Sequence, residues 1–187
     1  MIRPFIAFLL TVVSLGTAPV SAEGAEADFP DQISIDNREL KQLGAYRYVY
    51  RFFFPLYEAA LYAEPRAEVE SVLDADVAFH LTFRYLRYIE KPVILQAADR
   101  MLDKNLSSKE QDRIAERVKN LNDAYTSVEE GDTSSLTYDP EKGTTLRING
   151  ESRTTVSGQD FAQLYFKIWL GPEPLSKSLR DHLLGNN

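Results

Sequence analysis

Hydrophobic and polar positions alternate with a period of two over Tyr46-Arg47-Tyr48-Val49-Tyr50-Arg51-Phe52-Phe53-Phe54, which predicts a β-strand. One face carries Tyr46, Tyr48, Tyr50, Phe52 and Phe54, and the other carries Arg47, Val49, Arg51 and Phe53. Aromatic and β-branched side chains suit such a pleated surface. Pro55 lacks the N–H a ladder needs and predicts a bulge or bend; Tyr57 to Tyr62 then resumes as a strand that Glu64-Pro65 ends. Upstream, Gln32 to Ile35 and a second run to about Leu43 flank a turn at Asp36-Asn37. Downstream, Val77 to Tyr88 reads as a long strand with Phe79, Leu81, Phe83, Tyr85 and Arg87 on one face.

The period then changes. Val69 to Leu73 fits one helical turn, and Pro92 suits the first residue of a helix whose apolar positions are Ile94, Ala97, Ala98, Met101 and Leu102. Ser107-Ser108-Lys109-Glu110 is a capping-box pattern ahead of the stripe Ile114, Val118 and Leu121, a helix that fades before Gly131. Three short strands follow: Ser134 to Tyr138, Thr144 to Ile148 and Ser152 to Val156. Turns at Asp139 to Gly143 and at Asn149-Gly150 join them. After Gly158, Asp160 suits the first turn of a helix with Phe161, Leu164, Tyr165, Ile168 and Trp169 on one face. Gly171 is expected as its left-handed cap and Pro172 forbids continuation, with Leu175, Leu179 and Leu183 lining a short final helix. Strands, a helical pair, a meander and closing helices make an α+β fold: a mostly antiparallel sheet with helices on one face.

Composition changes the picture at the N-terminus. Arg3, the apolar run Phe5 to Leu15 and the small-x-small triplet Val20-Ser21-Ala22 have the form of a cleaved signal peptide over residues 1–22. The apolar run is short for a membrane anchor, the other reading of the same residues. Residues 23–28 read as a disordered leader and 29–187 as one domain. Of 187 residues, 165 follow the signal, enough for a domain that buries roughly 70% of its unfolded surface. The chain has no cysteine, which excludes disulfides, thiolate catalysis and Cys-zinc sites. A net charge of −7 disfavours nucleic acid as a partner. The two histidines, His80 and His182, have no partner pattern for metal or triad chemistry and read as structural.

Arg47 stands out as a cation sharing a strand face with Val49 and Phe53. A buried guanidinium needs an anion or several acceptors. A ligand carboxylate bound bidentately meets that need, as does an internal Asp or Glu; a solvent-exposed face removes it. Tyr57 is a candidate hydrogen-bond donor to the same ligand, or an amphipathic core tyrosine. Arg87, at the end of an apolar strand face, is a candidate for the rim of a cleft, or a surface cation. The aromatic stripe beginning at Tyr46 lines a pocket or forms sheet core under helices.

The ending Trp169-Leu170-Gly171-Pro172-Glu173-Pro174, followed by Leu179-Arg180-Asp181-His182-Leu183-Leu184-Gly185, resembles the signature W-L-G-x-x-P-x-x-x-x-L-(K/R)-x-x-L-L-G of bacterial chalcone isomerase-like proteins. Gly44-x-x-Arg47, Tyr57-Glu58-Ala59-Ala60-Leu61-Tyr62, Phe83-Arg84-Tyr85-Leu86-Arg87, Gly131-Asp132, Tyr138-Asp139-Pro140, Gly143-Thr144-Thr145 and Asn149-Gly150 resemble further family blocks in the family's order. The resemblance implies an open-faced antiparallel sheet, a helical layer and a cleft between them. The plant enzymes of the family act with a strand arginine and a threonine. The arginine falls on Arg47, but the threonine position falls on or near Tyr57, a departure from the catalytic pattern. In the non-catalytic, fatty-acid-binding branch an arginine and a tyrosine hold the carboxylate, which Arg47 and Tyr57 resemble more closely.

The expectation is therefore an exported, most simply periplasmic, non-catalytic protein. Its ligand is a small amphipathic acid such as a fatty acid, with Arg47, Tyr57 and Arg87 as ligand-binding residues. No catalytic residue, metal or cofactor is assigned, and cleavage leaves no stable membrane insertion. Two alternatives stay open: an isomerase or lyase acting on a phenolic or enone substrate through an oxyanion held by Arg47 and a tyrosine, and an envelope interaction module with a packed interior.

Overall fold

Each hydrophobic run with a period of two becomes a strand, and the strands pair in chain order because short turns join most of them. The computed structural model describes residues 27–51 and 54–186. The strands are β1 (Gln32–Ile35), β2 (Arg38–Tyr50), β3 (Phe54–Ala63), β4 (Phe79–Tyr85), β5 (Thr133–Asp139), β6 (Gly143–Ile148) and β7 (Glu151–Val156), forming one sheet in the order β1 to β7 with every pair antiparallel. Helix α1 (Val69–Leu73) follows β3, α2 (Lys91–Asn105) and α3 (Ser108–Ala124) lie between β4 and β5, and α4 (Gln159–Tyr165), α5 (Lys167–Leu170) and α6 (Lys177–Leu183) close the chain. The expected antiparallel α+β arrangement is the one found. The signal peptide falls on residues outside those described. Of the expected leader, Ala27 is already buried and the Asp28 carbonyl accepts from Arg84, so ordered packing begins before Phe29.

Two turns behave as their residues require. Asp36-Asn37 and Asn149-Gly150 all take positive φ, the type I′ geometry that matches strand twist. The expected capping box holds: Ser107 Oγ accepts from the Glu110 N–H and Glu110 Oε2 accepts from the Ser107 N–H at 2.8 Å.

Three expectations change. The strand read over Tyr46 to Phe54 ends at Tyr50; Arg51 turns to positive φ and Phe54 already belongs to β3, paired with Tyr50. Local alternation cannot reveal a hairpin hidden in an aromatic run, and the run to about Leu43 fuses instead with Tyr46 to Tyr50 into the long β2, with a register shift between Gln42 and Gly44. The strand read to Tyr88 stops at Tyr85. Gly171 is extended, at φ −75° and ψ −179°, and not left-handed. Close approach requires glycine there, since an added Cβ would lie 2.6 Å from the Lys167 carbonyl oxygen and 2.7 Å from Asn105 Oδ1.

The sheet has two unlike faces. Tyr46, Ala59, Leu61, Leu81, Leu136 and Leu146 point to the helical layer and form the main core with Phe161, Ile168 and Leu183. The opposite face has a small cluster, Leu40, Ala60 and Tyr62, under Phe29, Ile33 and Ile35, beside a band of polar side chains. There His80 Nδ1 lies 2.8 Å from Thr137 Oγ1. Burial, helped by nearby Arg147, lowers the His80 pKa to about 4, so the ring is a neutral structural group at ordinary pH.

Candidate functional site

The helical layer does not close over the whole sheet. Between the ends of β2, β3 and β4 and helix α2 lies a half-open cleft of about 800 Å³. Tyr48, Tyr57, Phe83 and Tyr85 form its sheet wall, Ile94 and Met101 its α2 wall, and Tyr125, Tyr165 and Trp169 its back. The cleft is the opposite of the packed interior expected of a module without a ligand. Its volume falls in the range of small-molecule sites.

Tyr57 reaches this wall because Tyr48, Tyr57 and Tyr85 are cross-strand partners, and partners share a face of the pleat. Its ring is held by Tyr48 at 5.1 Å, by Phe83 edge-on at 5.3 Å and by Tyr85 at 6.2 Å. Its hydroxyl is buried and has no hydrogen-bond partner among the described residues. A buried polar group without a partner is costly, so the site holds back a donor. Burial pushes the Tyr57 pKa well up, and that of Tyr85 to about 12, so both phenols stay protonated. The other deep hydroxyls are occupied. Tyr85 shares a 2.9 Å hydrogen bond with Ser134 Oγ, and Tyr125 and Tyr165 bond each other while burial raises both pKa values.

Arg47 lies elsewhere. It is the cross-strand partner of Glu58, one residue out of phase with Tyr57, so its side chain leaves the sheet on the face away from the cleft. Its Nε and Nη2 both donate to Glu58 Oε1, at 2.9 and 2.6 Å. Arg84 Nε donates to Glu58 Oε2 at 2.8 Å from the other side. The internal carboxylate weighed as a partner for Arg47 is thus Glu58. The expected pairing of Arg47 with Tyr57 on one ligand is corrected: the period of two puts the cation and the phenol on opposite faces. The oxyanion site expected of an isomerase needs Arg47 beside a tyrosine in the cleft, and Arg47 points to the other face.

Arg87 sits past the end of β4. Its Nε donates to the Pro55 carbonyl at 2.8 Å and its guanidinium lies 5.4 Å from the centre of the Phe54 ring, beside the mouth and not among the lining residues. The cations that do line the cleft are Arg100 and Lys104 on α2, and Glu90 is the acid. Sequence reasoning missed both. They continue the helical series Val93, Ala97, Arg100, Lys104, which runs beside the apolar positions Ile94, Ala98 and Met101, and that spacing is the available signal.

Among the described residues no cluster of three or more His, Cys, Asp or Glu is placed to hold a metal, and no helix is long and apolar enough to cross a membrane. The family model described as chalcone isomerase-like matches residues 21–185. Among solved structures, the crystal structure of a fatty-acid binding protein from Arabidopsis thaliana superposes with a TM-score of 0.63 at 16% identity, covering 88% of this chain and 97% of that one. At that identity the likeness is one of fold. No curated protein matches the chain.

Proposed function

Because the chain belongs to the chalcone isomerase-like family, we propose that it is a non-catalytic binding protein that holds a small amphipathic acid, such as a fatty acid, in the cleft between the sheet and α2. The observation that carries this reading is the Tyr57 hydroxyl: buried, protonated and without a partner among the described residues, on the aromatic wall of the cavity. An acceptor oxygen of the ligand satisfies it. The aromatic and aliphatic walls take the apolar body, and Arg100 and Lys104 supply the countercharge that Arg47 does not. The fold shared with a fatty-acid binding protein makes a fatty acid the first ligand to try. Arg3, the Phe5 to Leu15 run and Val20-Ser21-Ala22 support export, and a periplasm is the compartment we propose.

The test is native mass spectrometry of the protein purified from its own envelope fraction, followed by denaturing release of anything bound. A small acid is expected to co-purify. Tyr57→Phe is expected to bind it about 5- to 10-fold more weakly, the worth of one hydrogen bond. Without ligand, the same variant is expected to be more stable by about 1 kcal/mol, since the orphaned hydroxyl is gone. Arg47→Ala, on the far face, leaves the affinity unchanged. An empty protein that ignores added fatty acids, or a Tyr57→Phe variant that binds as the parent does, overturns the reading.

A further inference from the structure

The exposed large hydrophobic side chains among the described residues are Tyr50 at 44%, Phe54 at 48%, Tyr88 at 51% and Val93 at 55%. They are gathered at one place. Tyr50, Tyr88 and Val93 line the cleft, and Phe54 is the cross-strand partner of Tyr50. Water-facing apolar side chains are ordinary when scattered, but a group of them around one opening marks an interaction surface.

The charges around the opening have the sign opposite to the chain as a whole. The protein carries a net −7, yet the Arg51 guanidinium lies 5.3 Å from the Tyr50 ring centre and that of Arg87 lies 5.4 Å from the Phe54 ring centre. Arg100 and Lys104 line the cleft on the same helical stripe as Val93, against Glu90, the one acid among the described lining residues. Asp99 and Asp103 also sit on α2 but do not line the opening. Tyrosine beside arginine and lysine suits the headgroup layer of a bilayer, where rings take the apolar boundary and cations meet lipid phosphate.

We infer that the mouth of the cleft docks on the surface of an anionic lipid bilayer. Tyr50, Phe54, Tyr88 and Val93 enter the headgroup region, and Arg51 and Arg87, beside those rings and outside the cleft, lie against the lipid phosphates. The docking is peripheral, since four side chains bury far less than a spanning helix. It opens the cleft toward the phase in which an amphipathic acid is concentrated, and it does not depend on which ligand the cleft holds.

The chain has no cysteine, so one introduced thiol gives a single labelling position. Val93→Cys carrying an environment-sensitive fluorophore is mixed with vesicles of phosphatidylcholine alone and of phosphatidylcholine with phosphatidylglycerol. Ser152→Cys, exposed on β7 at the far edge of the sheet, is the reference position. The expected result is a blue-shifted, several-fold brighter emission at position 93 with the anionic vesicles only. It is lost in about 1 M salt, where the Debye length is about 3 Å. The double replacement Arg51→Gln/Phe54→Ser removes one surface cation and one interfacial ring, neither of which lines the cleft. It is expected to weaken vesicle binding more than about tenfold while ligand affinity is unchanged. No response at position 93, an equal response at position 152, or an unchanged response in the double variant overturns the docking, including when the vesicles are bound through some other part of the chain. If the Val93→Cys protein without the double replacement gives no response to anionic vesicles while the cleft ligand is still bound, this inference fails and the binding-protein reading stands.

Discussion

Replacing Glu58 by alanine is expected to lower the unfolding free energy by about 3 kcal/mol. Glu58 is almost wholly buried, yet it is charged, and it is tolerated because Arg47 and Arg84 donate to its two oxygens from either side. Removing the shared anion leaves two guanidinium groups facing each other across β2, β3 and β4. Breaking a buried ion pair costs about 3–5 kcal/mol, and the low end applies because side-chain exposures of 24% for Arg47 and 38% for Arg84 let water partly compensate. Arg84 also carries the start of the described chain, donating to the Asp28 carbonyl and lying over the Phe29 ring, so the damage spreads to that cover.

The effect depends on pH in a definite direction. Burial pushes the Glu58 carboxyl up, but the hydrogen bonds and charges of Arg47 and Arg84 outweigh it and hold the pKa below the usual carboxylate range. A carboxylate with a depressed folded-state pKa contributes stability above the unfolded value of about 4.3 and loses it as the pH falls through the folded value. Urea unfolding of the parent and of Glu58→Gln at neutral pH, and again in acid, checks this. The gap between the two proteins is expected to be widest at neutral pH and to shrink in acid; a gap independent of pH would mean that the triad does not act through charge.

Gly44→Ala is expected to cost at least about 3 kcal/mol and to lower Tm by about 10 °C. Gly44 lies on the helix-facing side of β2, opposite Leu61, where the backbone of α6 comes closest to the sheet. A methyl group there runs into the backbone carbonyl of His182. Backbone cannot rotate aside as a side chain can, so α6 must lift as a unit. It is held down by the fully buried Leu179 and Leu183 and by the Tyr46 ring, 4.5 Å from that of His182. Overpacking ordinarily costs about 1–3 kcal/mol, and a contact between two backbones belongs at or above the top of that range. A thermal melt within about 2 °C of the parent would show that α6 is loosely docked. The glycine of Gly44-x-x-Arg47 and the closing Leu179 to Gly185 block, 135 positions and more apart in the chain, are thus two halves of one contact.

The candidate site was only half legible. That Tyr57 is out of phase with Arg47 does not follow from counting: they are ten positions apart, and the hairpin with its register shift at Tyr48 and Val49 lies between them. Counted as one unbroken strand, the two share a face, so nothing in the spacing contradicts the pair that the family resemblance implies. Across a hairpin, phase depends on the register, and Arg47 opposite Glu58 is set by that irregularity. Arg100 and Lys104 were visible as helical positions, but nothing local says that a cavity lies beside their stripe.

The sequence by itself determined the kinds of element and, outside the Tyr46 to Phe54 run, their places: strands from a period of two, helices from 3.6, the capping box at Ser107 and the paired turns at Asp36-Asn37 and Asn149-Gly150. These depend on interactions spanning a few residues, so the residues that cause them stand side by side in the chain. The tertiary structure alone decided which face of the sheet the helices cover, that Glu58 and not a ligand neutralises Arg47, and that the layers stop short of closing beside Tyr57. Each of these is a relation between segments brought together by register and packing, and no short stretch of residues contains it.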